Sequence, residues 1–247
     1  MKPLGSHTVM SWQMSNKAPI ILAVDTPDIE LAQKWIETTS DFIAGYKLGL
    51  EFFLAFGSEG VRKLQKSSDA FLFLDLKLHD IPNTVSHAIS QVKSLTPRFL
   101  TVHASGGRAM IAAAVEQAPD IEITAVTILT SLTPEALSEV GYKKDPLESA
   151  VTLALLAQHA GARAIVCSPL ETHAIRAAVG PEISIITPGI RRAHQAGADD
   201  QNRTMGPKQA VQAGATYLVI GRPITGAWSQ GAKAMRDAAD EIAQEVS

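Results

Sequence analysis

Asp75, Lys77 and Asp80 fall within six residues of one another in "FLFLDLKLHDIPNT" (71–84). The stretch opens as an apolar strand and closes on an acid, a base and a second acid. Burying charge is costly unless the charges are paired or used. Side chains alternate across a strand, so Phe71, Phe73, Asp75 and Lys77 share one face and Leu72, Leu74 and Leu76 the other. If the leucines meet covering helices, the acid and the base point into a cleft. Lys47 closes "FIAGYKL" (42–48) and approaches Asp75 from a neighbouring strand, which gives a charge chain Lys47–Asp75–Lys77. Flanking carboxylates favour the charged form of Lys77. An ammonium held in a mostly dry pocket is a proton donor aimed at a developing carbanion.

A second group has the chemistry of a phosphate grip. The stretch "TPGIRRAHQAGADDQNRTMG" (187–206) shows little apolar periodicity and carries Arg191, Arg192, Gln201 and Arg203, with Gly189, Gly197 and Gly206 as flex points. A loop of that length in a compact domain is usually functional, often a lid. "TYLVIGR" (216–222) then delivers Gly221 and Arg222. The planar fork of arginine suits a phosphate, and glycine lets backbone N–H groups come close. Against this stands a solvated charged loop, which is the ordinary reading of Arg192 and Arg203.

These groups need a scaffold that brings strand ends together. From residue 19 on, apolar runs alternate with helical patterns. The runs are 19–25, 42–48, 70–77, 98–104, 121–128, 162–168, 183–189 and 216–222. They are rich in Ile, Val, Leu and Phe, as strands buried on both faces are. Between them, Ile81, Val85, Ala88, Ile89, Val92 and Leu95 form one helical stripe, with Pro82 in its first turn. Met235, Ala238, Ile242 and Val246 form another. Eight β–α alternations predict parallel strands closed into a (β/α)8 TIM barrel, with residues 1–17 a loose arm and 18–247 a single domain. An open doubly wound sheet is the rival, weakened by the lack of a GxGxxG after the first strand. In a barrel the site lies at the C-terminal strand ends, where Asp25, Lys47, Asp75, Lys77, "VHASGG", "TILTS", "TPGIRR" and "IGRPIT" all fall. Any one of these polar residues alone reads as a helix cap or a surface pair; their gathering at one mouth argues otherwise.

Composition excludes several classes. The chain has 247 residues, a net charge of -3 and 46% hydrophobic residues. That balance argues against a nucleic-acid partner, which selects a basic face. No run approaches the roughly 18 apolar residues of a membrane span, and the N-terminal stretch lacks the apolar core of a signal peptide. The single cysteine, Cys167, reads as a core residue and fits a reducing, cytoplasmic compartment. His79, His87 and His103 lack metal-ligand spacing and read as structural or surface residues, with His103 at the pocket edge. No metal site is expected.

The pattern D-x-K-x-x-D-I-P-N-T at 75–84 resembles that of the orotidine 5′-phosphate decarboxylases, which complete UMP synthesis. "LAVD" (22–25), "YKLG" (46–49), "VHASGG" (102–107), "LTS" (129–131), "TPGIR" (187–191), "GADDQNR" (197–203) and "VIGRPIT" (219–225) support it. All stand in the family's order, and the resemblance covers roughly 19–245.

The resemblance implies a cofactor-free decarboxylation on a (β/α)8 homodimer. Lys77 is similar to the lysine that protonates C6 of the pyrimidine, and Asp75 to the acid beside the departing carboxylate. Asp80 resembles the acid that reaches into the partner's site, completing the chain Lys47–Asp75–Lys77–Asp80′, the prime marking the other subunit. Asp25 and Lys47 resemble ribose contacts. Ile81 and Thr84 lie in a substrate-contacting segment, with Thr84 reaching across the dimer. Thr130 and Ser131 fall at the pyrimidine edge. Pro188, Arg191, Gln201, Gly221 and Arg222 resemble the phosphate and lid positions. Related sugar-phosphate enzymes share D-x-K-x-x-D but use Mg²⁺, held partly by an acid just before the motif; here that place is "FLFL". A non-catalytic phosphate-binding barrel is the more distant alternative, since this fold hosts many chemistries.

Overall fold

The computed structural model describes residues 17–191 and 205–247. The expectations for the arm before residue 17 and for Arg192, Gly197, Gln201 and Arg203 lie outside the described residues. Eight parallel strands close in sequence order: β1 (Ala18–Ala23), β2 (Ile43–Gly49), β3 (Phe71–Leu78), β4 (Phe99–His103), β5 (Glu122–Val126), β6 (Ala164–Val166), β7 (Ser184–Thr187) and β8 (Tyr217–Ile220). β1 pairs with both β2 and β8, which rules out the open sheet. Each strand overlaps its expected run: β1 begins one residue before it, β2 and β3 end one residue beyond it, and the other five lie inside theirs, ending one or two residues short.

The helices are α1 (Ile29–Thr39), α2 (Leu50–Gln65), α3 (Pro82–Val92), α4 (Gly107–Gln117) and α5 (Pro134–Glu139), then α6 (Pro146–His159), α7 (Thr172–Val179), α8 (Pro207–Gln212), α9 (Arg222–Thr225) and α10 (Ala232–Val246). Their starts are written in the sequence. Asp28 accepts from the N–H groups of Glu30 and Leu31 at 2.9 and 3.0 Å, and Asp145 caps α6 through Glu148 N–H. Each such cap satisfies orphan donors of a first turn. Pro82 begins α3, where its missing N–H costs nothing.

Strand alternation divides the core in two. Leu72, Leu74 and Leu76 join the layer between barrel and helices, with Val85, Ile89, Val92 and Leu95. Burying one such side chain contributes roughly 1.5–3 kcal/mol. Ile81 departs from the expected stripe: it precedes α3 and is 65% exposed. Its spacing fits the helical period, but it stands before the helix begins, where that period no longer dictates direction.

Inside the barrel, Ile21, Ala23, Phe73, Phe99, Ile186, Tyr217 and Val219 pack together. Gly45 pairs with Phe71 across β2 and β3, and a Cβ there would meet the Phe71 ring at 2.3 Å. The floor is closed by Arg98, just before β4. Its guanidinium lies 4.9–5.2 Å from the ring centroids of Phe71, Phe99 and Tyr217. It also binds Glu122 at 3.1 Å and the Tyr217 hydroxyl at 2.8 Å. The N-terminal end of the barrel is thus plugged, which leaves the C-terminal mouth as the open end.

Candidate active site

Three strand ends, those of β1, β2 and β3, bring acids and bases into one row at that mouth. Lys47 Nζ donates to Asp25 Oδ1 at 3.0 Å and lies 3.5 Å from Asp75 Oδ2. Lys77 Nζ donates to both Asp75 oxygens at 2.8 Å. The row Asp25–Lys47–Asp75–Lys77 alternates in sign, so each internal charge has opposite neighbours.

Electrostatics follow from that order. Burial pushes the Asp75 carboxyl up, but Lys47, Lys77 and hydrogen bonds from Lys77 and Thr101 outweigh it and hold Asp75 below the usual carboxylate range. Burial pulls the Lys47 ammonium down, yet the Asp75 and Asp25 carboxylates more than offset it and Lys47 stays above the usual lysine value. Both groups are therefore ionised at neutral pH.

The row lines a cavity of about 500 Å³, within the range of small-molecule sites. Asp25, Lys47, Asp75 and Lys77 form one wall. Thr130, Pro188, Arg191, Gly221 and Arg222 line it as well. Arg191 is buried, and Gly189 beside it takes φ +79, a left-handed turn that glycine adopts freely. Ile190 forms a parallel bridge to Met205, and Arg191 N–H donates to Met205 O at 3.0 Å. Arg222 opens α9 directly after β8.

Other expected positions do not line the cavity. Asp80, Ile81 and Thr84 are exposed on the turn into α3, and Asp80 Oδ1 accepts from Ile81 N–H at 2.7 Å. Ser131 is exposed beside Thr130. The rings of His79 and His103 lie tilted at 38° with centroids 5.4 Å apart, and burial, then His79 and Lys77, hold His103 below the usual histidine value. Cys167, expected as a core residue, is buried and does line the cavity, with its thiol pushed up to about 12 mainly by burial. No cluster of three or more metal-ligating side chains occurs among the described residues.

The sequence reading missed Thr101, Thr225 and the apolar lining. Phe73, Val126, Val166 and Val219 face the cavity together with Leu129. Strand alternation carried the signal for Phe73, which shares its face with Asp75. Thr225 stood in "VIGRPIT" unremarked. Thr101 lies two residues before His103 on β4, so the same parity pointed inward.

A closed (β/α)8 barrel with an acid–base row and two arginines at its C-terminal mouth defines a barrel enzyme for a small anionic substrate. The chain belongs to the orotidine 5′-phosphate decarboxylase / HUMPS family, whose model matches residues 18–237. It is 49% identical over 223 residues to the orotidine 5′-phosphate decarboxylase of Thermobifida fusca, covering 90% of this chain and 95% of that one. It is 42% identical over 240 residues to that of Frankia casuarinae, covering 90% and 87%. The crystal structure of orotidine 5′-phosphate decarboxylase from Lactobacillus acidophilus superposes with a TM-score of 0.79 at 32% identity, covering 93% of this chain and 99% of that one. Among the described residues no helix is long and apolar enough to cross a membrane.

Proposed function

We propose that this protein decarboxylates orotidine 5′-phosphate to UMP and CO₂, the closing step of UMP synthesis, without metal or organic cofactor. The observation that carries the reading is Lys77 held against Asp75 at the cavity wall, 2.8 Å from both oxygens. The C6–carboxylate bond breaks, its electron pair stays on C6, and CO₂ leaves. The Lys77 ammonium stabilises that developing charge and then gives C6 its proton; solvent reprotonates the amine. Large enzymatic accelerations correspond to about 8–23 kcal/mol of transition-state stabilisation, and a vinylic carbanion with little delocalisation calls for the upper part.

Arg191 and Arg222 hold the phosphate, with Gly221 beside it and Pro188 along the wall; Gln201, outside the described residues, is assigned to the same group by the family resemblance. Binding energy from that remote group organises the reacting end. Asp25 and Lys47 meet the ribose, and Thr130 and Ser131 the pyrimidine edge. We further propose a homodimer in which Asp80, Ile81 and Thr84 reach the partner's site. Support comes from their exposure and from other exposed apolar side chains, Leu54 at 81% among them. A cytoplasmic location goes with this role, and the single free cysteine supports it.

The test is ultraviolet absorbance of orotidine 5′-phosphate with purified protein, with and without EDTA. Conversion to UMP that survives EDTA is expected. No conversion by folded protein overturns the reading and directs attention to Mg²⁺-dependent sugar-phosphate chemistry.

A further inference from the structure

The β3–β4 ladder slips at the site. Leu74 pairs with Leu100, and the next pairing joins Leu78 to Val102. Four steps along β3 therefore face two along β4, so that Asp75, Leu76 and Lys77 lie opposite Thr101 alone. Bulged segments of this kind leave ladder groups without their regular partners and re-aim side chains.

Lys77 lies in that segment with φ +48, a left-handed conformation that a residue with a long side chain keeps only where its surroundings enforce it. Its backbone N–H donates to Thr101 Oγ1 at 2.8 Å. The same hydroxyl donates to Asp75 Oδ1 at 3.0 Å. Thr101 is fully buried on β4. A hydroxyl has one proton and two lone pairs. Here the proton is committed to the carboxylate and a lone pair to the lysine's main chain. One side chain on β4 thus replaces a main-chain ladder contact and ties the acid to the backbone of the base.

We propose that Thr101 is a positioning residue for the reaction, its hydroxyl fixing the Asp75 carboxylate and the Lys77 backbone so that the ammonium faces the cavity. The proposal rests on the decarboxylase reading for its kinetic test. Thr101 does not line the cavity, so it acts through Asp75 and Lys77. The phosphate and ribose contacts come from other strands, which predicts a defect in turnover with affinity preserved.

The experiment compares Thr101→Val, which keeps the volume and loses the hydroxyl, with Thr101→Ser, which keeps the hydroxyl. Steady-state kinetics on orotidine 5′-phosphate are measured beside crystal structures of wild type and Thr101→Val. We expect kcat of Thr101→Val to fall about 10–100-fold, the usual loss when one buried hydrogen-bond partner is removed. KM should stay near wild type, and Thr101→Ser should recover most of the turnover. In the Thr101→Val crystal, Lys77 should leave φ > 0 or its ammonium should leave one Asp75 oxygen. Near-wild-type kcat in Thr101→Val overturns the proposal, as does equal impairment in folded Thr101→Ser. Should Thr101→Val fail to fold, Thr101→Ala against Thr101→Ser gives the same comparison. A wild type inert on this substrate sinks the decarboxylase reading alone; unchanged Asp75 and Lys77 geometry in the mutant crystal sinks the role of Thr101.

Discussion

The Lys77 ammonium spans the Asp75 carboxylate, 2.8 Å from each oxygen, while Lys47 approaches the same group from β2 at 3.5 Å. One acid thus serves two bases, and its ionisation holds the row together.

That arrangement sets a pH dependence of stability. Asp75 titrates in the fold below its unfolded value of about 3.9. Its contribution is complete above about pH 4 and drains away as pH falls through the depressed value. Lys47 is raised, so its contribution is complete below about 10.4 and is lost as pH climbs through the folded value. Wild type should therefore exceed Asp75→Asn in stability most between about pH 5 and 9, with the gap closing toward pH 3. Urea denaturation across that series measures it; a gap independent of pH would show that the carboxylate charge contributes nothing.

Lys77→Ala should lower kcat about 10⁴-fold or more, since both proton donation and charge stabilisation go with the ammonium. Circular dichroism should show an intact barrel, because Lys77 sits at the mouth outside both apolar clusters. Turnover near wild type in a folded variant would remove Lys77 from the mechanism.

Asp80→Ala should be nearly inactive although Asp80 does not line its own chain's cavity. Mixed with Lys77→Ala under subunit exchange, activity should return to about a quarter of wild type: half of the twofold-symmetric dimers are mixed and each holds one complete site. Exchange demonstrated by mass spectrometry with no recovery would confine Asp80 to its own subunit.

Arg222→Ala should reduce kcat/KM about 10–100-fold, the usual worth of a charge-assisted hydrogen bond to phosphate. Orotidine without its phosphate should turn over slowly on wild type and be indifferent to the substitution. An equal loss on both substrates would mean that Arg222 acts elsewhere than at the phosphate.

Arg98→Ala tests the opposite end. It leaves Glu122 without its ion pair and removes a cation from three aromatic rings. Denaturant melts should show a loss of about 2–4 kcal/mol, with kcat unchanged. A kinetic defect at full stability would contradict a purely structural floor.

The strands were legible because runs such as "AFLFLDLK" are apolar on both faces, a demand peculiar to strands wrapped by helices. Asp75 and Lys77 were legible through alternation alone. The inward face of Thr101 followed from parity with His103, but its bonds to Asp75 and Lys77 did not, because the slip between Leu74 and Leu78 depends on how two strands pair. Ile81 misled for the converse reason: helical spacing continued one residue past the point where the helix begins. Arg191 and Arg222 were found from their position after the seventh and eighth runs, since loop chemistry follows barrel topology.

Closure of the barrel also governs how the protein is made. β1 completes its pairing through Ile20 and Leu218, 198 positions apart in the chain. At about 5–20 residues per second, roughly 10–40 s of translation separate the two. Throughout that interval the nascent sheet keeps two unpaired edges, the kind of surface that invites foreign strands. The last short strand, Tyr217–Ile220, seals both at once, so protection from aggregation arrives in a single late event.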